Sequence, residues 1–186
     1  MKSILIVGGA GYIGSHMYKY LAKKGYQPIV LDNLVYGHQE AVKWGPFFDG
    51  SMTDSKLVNH IFSKYKIEAV MHFAAFCYVG ESVTDPVKYY CNNVAATIAL
   101  LEKMVEKNIS NFIFSSTCAT YWEPVEIHIS EQHPQNPINL YGKSKLMVEH
   151  ILDDFYKAYS LKSITNASLM VIELIEISIG HRVSKK

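Results

Sequence analysis

Cysteine is scarce in this chain: Cys77, Cys91 and Cys118 are the only three, and no two form a Cys-x-x-Cys pair. An odd, unpaired set argues against a disulfide framework or structural zinc and fits a reducing compartment, so a cytoplasmic protein is the expectation. The eight histidines include no helical His-x-x-x-His pair, and no metal site is expected. No uninterrupted apolar run approaches the roughly 18 residues of a membrane span, and the N-terminus reads as a strand rather than a secretory leader. Excess charge is missing too: 18 basic and 17 acidic residues, scattered along the chain, offer no footprint for nucleic acid or an anionic membrane. Repeats, low-complexity tracts and linkers are absent, so 186 residues with 49% hydrophobic content read as one globular domain with one substantial core.

What the chain does have is glycine in one place. Four of its 11 glycines fall in ILIVGGAGYIGSH, Ile4 to His16. Short β-branched runs alternate with segments of helical period, the pattern of a parallel sheet covered by crossover helices, an α/β doubly wound architecture. Strands are expected at Ser3 to Val7, Pro28 to Leu31, Ala69 to Phe73 and Asn111 to Ser115, and helices at Tyr12 to Lys24, Asp54 to Tyr65, Pro86 to Asn108 and Tyr141 to Tyr159. Thr53 or Asp54 suits the cap of the second helix and Pro86 the first turn of the third. Val87, Tyr90, Val94, Ile98, Leu101 and Val105 recur at threes and fours and predict one buried stripe on that third helix.

The glycines then sit at a strand-to-helix turn, with both Gly-x-Gly-x-x-Gly and Gly-x-x-Gly-x-x-Gly spacings. Bare backbone admits a pyrophosphate, the helix N-terminus offers N–H groups and partial positive charge, and Gly14 permits close packing of helix on strand. A tight turn with no ligand has the same text. Asp32, at the end of the second strand, can take ribose hydroxyls and would repel a 2′-phosphate, favouring NAD over NADP, although it also suits a turn before Asn33. YGKSK places Tyr141 and Lys145 one helical turn apart, at the edge of an apolar face. A phenol with a reference pKa of about 10 needs a nearby cation to act as a base near neutrality, and Lys145 can supply it. Many solvated helices carry such a pair. Thr117, in FSSTCATY just beyond a strand end, is the hydroxyl best placed for a ligand, with Ser115 and Ser116 as neighbours.

Together, GGAGYIGSH, LDNLVYGH, HFAA, VGESVTDPVKYYCNNV, NFIFSSTCATY and YGKSKLMVEHIL resemble the extended short-chain dehydrogenase/reductase family, over roughly residues 2 to 160. Within it, the chain looks like the enzymes that interconvert UDP-galactose and UDP-glucose in galactose metabolism, by transient oxidation at carbon 4. The resemblance implies a Rossmann-like sheet over residues 1–162 and NAD held by Gly8, Gly11, Tyr12, Ile13, Gly14, Asp32, Asn33, Gly37, Phe73, Ala74, Ala75 and Asn92, with Tyr141 and Lys145. It implies catalysis by Tyr141, Lys145 and Thr117, Lys145 lowering the tyrosine pKa, and a homodimer through a four-helix bundle. Cys118 and Ala119 stand where related dehydratases carry Asp-Glu, which favours epimerisation. An NAD-binding module without turnover, or another sugar-nucleotide oxidoreductase of the same family, are the alternatives.

Four departures stand out. Ser51 replaces an adenine-reading aspartate, Cys77 stands where lysine can occur, and Trp122 replaces a glycine. The resemblance also lapses near Lys162, and SLMVIELIEISIG fits either a helix or a strand; the expectation is a truncated or locally frameshifted chain whose residues 163–186 form a divergent tail and which lacks most of the substrate domain.

Overall fold

The computed structural model describes residues 1–121, 130 and 132–166. Six parallel strands, β1 (Ser3–Val7), β2 (Gln27–Asp32), β3 (Phe47–Asp49), β4 (Ile67–His72), β5 (Asn111–Ser115) and β6 (Lys162–Asn166), lie in the order β3-β2-β1-β4-β5-β6. This is the dinucleotide-binding order, whose reversal of direction falls between β1 and β4. Register aligns the carboxyl ends there, since Val7 pairs with both Leu31 and His72. Gly8, Asn33 and Phe73 therefore emerge side by side at one edge.

Strand alternation divides the core into two layers. Ile4 and Ile6 of β1 pack with Met17, Tyr18 and Leu21 of α1 (Tyr12–Lys23) on one face. Leu5 and Val7 point to the other, against Val58, Ile61 and Phe62 of α2 (Ser55–Lys64), Leu100, Leu101 and Met104 of α5 (Ala96–Glu106), and Val148 and Leu152 of α6 (Leu140–Tyr159). Each fully buried aliphatic contributes about 1.5–3 kcal/mol. Of the two candidate caps for α2, Asp54 serves, accepting from the N–H groups of Lys56 and Leu57 at 2.9 and 3.0 Å.

The long helix expected from Pro86 to Asn108 is composite. A short α3 (Val79–Thr84) precedes it, Pro86 opens α4 (Pro86–Tyr89), and a π-helical stretch, Tyr90–Ala95, leads into α5. Its buried face is also one residue away from the expected stripe. Tyr89, Asn93, Ala96, Thr97, Leu100, Leu101 and Met104 turn inward, whereas Val87 is 69% and Ile98 38% exposed. The inward phase carries two polar side chains, Asn93 and Thr97, so counting apolar residues favours the neighbouring phase; only Leu101 belongs to both. Val94 and Val105 are partly buried against the core.

Two strands escaped the sequence reading: β3, only three residues long, and β6, which pairs with β5 from Asn111↔Lys162 to Ser115↔Asn166. The sheet thus continues beyond the boundary expected at Lys162. Trp122 and residues 167–186 lie outside the described residues.

Candidate active site

The turn after β1 is built for close backbone approach. Gly8 has φ +79°, donates its N–H to the Leu31 carbonyl at 2.9 Å, and lies so near β4 that a Cβ would meet Ala74 N at 2.5 Å. Gly11 is the N-cap of α1, with no side chain capping that end and no acid in the first turn. Its unspent N–H groups and positive dipole end suit an anion. A Cβ on Gly14 would come within 2.2 Å of the Gly8 carbonyl oxygen, which fixes helix against turn.

A groove runs across this edge, lined by Gly8 and Gly11, by Asp32, Asn33 and Gly37, by Phe73, Ala74 and Ala75, and by Asn92. These nine are among the cofactor contacts expected from sequence; Val7, Leu31, Val35, Tyr36, Gly50, Met52 and Phe76 line the same groove and were not expected. Tyr12, Ile13 and Gly14 are not on its wall: Tyr12 is 82% exposed, Ile13 packs on the α1 core layer, and Gly14 is buried beneath the turn. Asp32 also does structural work. Its carboxylate accepts from the N–H groups of Ala10 and Leu34, both at 2.9 Å, tying the glycine turn to the loop after β2. A carboxylate has about four lone-pair sites, so two bonds leave acceptor capacity toward the groove. Ser51 lines the groove too, its hydroxyl paired with Thr53 at 2.8 Å.

Asn93, which the sequence reading passed over, holds the far wall. Its Oδ1 accepts from Phe76 N, and its Nδ2 donates to Phe76 O (both 2.9 Å) and to Ser144 Oγ of α6 (3.1 Å). The signal was available: a second asparagine, buried, in phase with Tyr89 and Leu100.

The three expected catalytic residues come together beside that wall. Thr117 accepts from Ala119 N at 3.1 Å and so caps a 3₁₀ turn, Cys118–Thr120. Asn139 caps α6 through Gly142 N at 2.7 Å, and Gly142 fits so tightly that a Cβ would lie 2.1 Å from Ala119 O. This pressed contact sets the Tyr141 phenol beside the Thr117 hydroxyl. Lys145 is 3% exposed; its ammonium donates to Ser115 O at 2.8 Å and stands 4.6 Å from the Phe114 ring centre. Cys77, next to the groove residue Phe76, acts electrostatically on both Tyr141 and Lys145.

The electrostatics differ from expectation. Burial raises the Tyr141 pKa above 10, Thr117 lowers it, and Cys77 and Cys118 raise it; Lys145 is not among the groups acting on it. The reason is where the ammonium points, toward Ser115 O and Phe114. Burial in turn pulls Lys145 down to about 8, against smaller upward effects of Cys77 and Glu149.

His72, at the end of β4, is 1% exposed. Thr97 Oγ1 donates to Asn93 O at 2.9 Å, so at its 3.2 Å contact with His72 Nε2 the ring is the donor; Nδ1 has no partner. Burial first, and Lys145 second, depress its pKa to about 3. The folded ring thus stays neutral while the unfolded one takes a proton below about 6.5. The stability that this shift contributes is expected to be fully present above that pH and to be lost progressively as pH falls toward about 3. Acid denaturation of His72→Gln, which retains a donor but does not titrate, should be measurably shallower over the same window.

The profile of the NAD dependent epimerase/dehydratase family matches residues 4–169. The UDP-glucose 4-epimerase of Rhizobium leguminosarum bv. trifolii is 48% identical over 163 residues, which cover 88% of this chain and 50% of that protein. Among solved structures, UDP-glucose 4-epimerase from Brucella ovis in complex with NAD superposes with a TM-score of 0.87 at 50% identity, covering 89% of this chain and 51% of that one. The Thermotoga maritima UDP-glucose 4-epimerase with UDP-glucose gives 0.83 at 37% identity, covering 88% and 54%. The chain spans about half the length of the relatives it matches. With a six-stranded parallel sheet in dinucleotide-binding order and a family match over most of its residues, the chain belongs to the NAD dependent epimerase/dehydratase family.

Proposed function

We propose that this chain carries the cofactor and catalytic half-site of a UDP-glucose 4-epimerase, interconverting UDP-galactose and UDP-glucose in galactose metabolism in the cytoplasm. The observation that carries the reading is the join between two parts: the wall of the glycine-lined groove at Phe76 is bonded through Asn93 to Ser144 of α6, the helix that holds Tyr141 beside Thr117 and Lys145 against Ser115. The groove fits a dinucleotide because its turn excludes side chains at Gly8 and Gly14 and presents a helix N-terminus. Gly8, Gly11 and the N–H groups of Tyr12 and Ile13 would take the pyrophosphate, Asp32 the adenosine ribose, and Lys145 the nicotinamide ribose. NAD, when bound, supplies the hydride acceptor and donor at the sugar's carbon 4.

Tyr141, as phenolate, takes the proton of the sugar 4-hydroxyl and returns it, while Thr117 hydrogen-bonds the reacting oxygen. Cys118 and Ala119 add no acid or base to the turn after Thr117, which suits epimerisation rather than loss of water. Tyr90, Val94 and Ile98 meet Met147 of α6, itself 44% exposed, in an apolar depression. We assign that face to a homodimer through a four-helix bundle.

Calorimetric titration with NAD, and conversion of UDP-galactose followed by coupled oxidation of UDP-glucose, test the reading. NAD is expected to bind, and NADP at least ~10-fold more weakly because Asp32 opposes its extra phosphate. Absence of NAD binding to folded protein would refute the proposal; binding without conversion would identify an NAD-binding module instead.

A further inference from the structure

We infer that Glu149 is a positioning residue of this site: its carboxylate clamps the exit of β5 to α6, so that Ser115 and Thr117 face Lys145 and Tyr141. The inference deepens the proposed function and rests on it for its catalytic meaning. Tyr141, Lys145 and Glu149 follow one another at single-turn intervals, so one line of α6 runs along the strand exit. Each member of that line meets a member of the consecutive trio Ser115, Ser116 and Thr117. Lys145 Nζ donates to Ser115 O at 2.8 Å, the Ser116 hydroxyl donates to Glu149 Oε1, and Thr117 stands beside the Tyr141 phenol.

The second carboxylate oxygen holds the other end of the same turn. Glu149 Oε2 accepts from Gln135 Nε2 at 2.8 Å; that amide also reaches Thr120 Oγ1 at 3.4 Å, and Thr120 Oγ1 donates to Thr117 O at 2.9 Å. Ser116 is anchored on its remaining side by its own N–H, which donates to Asn166 O of β6 at 2.9 Å. The loop bearing Thr117 is therefore fixed from both flanks by one side chain whose own hydrogen bonds go to Ser116 and Gln135, neither of them an expected cofactor or substrate contact. Charge enters as well. The groups acting on the Lys145 ammonium are Cys77 from the loop after β4 and Glu149 from its own helix, while His72 from β4 is paired electrostatically with it. Glu149 supports the protonated lysine, in addition to aiming its acceptor.

The test is made on the whole chain without ligand, by NMR titration of ¹³Cε-labelled lysine, the Lys145 resonance being assigned by its loss in Lys145→Met. Wild type is expected to titrate near 8, and Glu149→Gln at lower pH, with melting temperature within a few degrees of wild type. Ser116→Ala, which removes the same link from the strand side, should move the midpoint in the same direction and serves if the first variant does not fold. An unmoved midpoint in the folded variant overturns the inference, whether or not the melting temperature falls, because a scaffold role alone would change only the latter. Where the wild type turns over UDP-galactose, Glu149→Gln should lower kcat about tenfold or more at unchanged NAD affinity; an unchanged kcat overturns the inference too. Failure of NAD binding in every form, wild type included, strikes the proposed function instead and leaves the titration to decide the clamp.

Discussion

Valine in place of Gly14 is expected to abolish NAD binding and to lower stability steeply. The first carbon of any side chain there lies 2.2 Å from the Gly8 carbonyl oxygen and 2.8 Å from Gly9 Cα, and both are main-chain atoms that cannot rotate aside. Relief requires α1 to lift from β1, which uncovers Met17, Tyr18 and Leu21 from the strand residues they bury. Overpacking of this kind costs about 1–3 kcal/mol before those contacts are counted. Gly11→Ala makes the informative contrast. Its nearest neighbour would be 3.4 Å away, an ordinary contact, but the added methyl projects at the groove wall. Thermal denaturation beside NAD titration should show Gly11→Ala folded with weakened binding, and Gly14→Val failing on both counts.

Phenylalanine at position 141 is expected to cut kcat for UDP-galactose conversion about 10²–10⁴-fold while leaving NAD affinity near wild type. The ring keeps its packing, and only the proton-transferring oxygen is lost. The pH dependence of the wild type follows from two shifts of opposite direction. Tyr141 sits above its ordinary value, so the base form grows about tenfold for each unit of rising pH in the neutral range. Lys145, depressed to about 8, loses its charge as pH passes that value, and its hold on Ser115 O weakens. The kcat/KM profile for UDP-galactose conversion in the presence of NAD should therefore climb through neutrality and bend near 8. A profile flat from pH 6 to 9 would contradict the assignment of Tyr141 as base.

The groove was legible because phosphate recognition by bare backbone restricts residue type: nothing but glycine fits at Gly8, where φ is positive and Ala74 is in the way. Strand β1 matched its expected ends because a buried strand between two others reads as a continuous apolar run, here Ile4 to Val7 after Ser3. The helix after Asp85 misled the reading for the opposite reason. Its inward face spends two positions on amide and hydroxyl groups that serve the site, so the hydrophobic pattern pointed one residue away. Spacing put Tyr141 and Lys145 one turn apart on a helix, but spacing cannot tell which way an ammonium turns, and here it turns toward Ser115. Glu149 and Gln135 were invisible for a related reason, since their partnership joins a helix to a loop distant in sequence.

The Asn93 carboxamide bonds Phe76 with both its ends and Ser144 as well, so the groove wall and the helix that carries Tyr141 share a rivet. Strain introduced on either side of that rivet is felt on the other. Under the proposed function, retuning coenzyme choice from the groove wall is therefore expected to disturb the aim of Tyr141, and repacking α6 to shift the groove wall, unless the amide is kept.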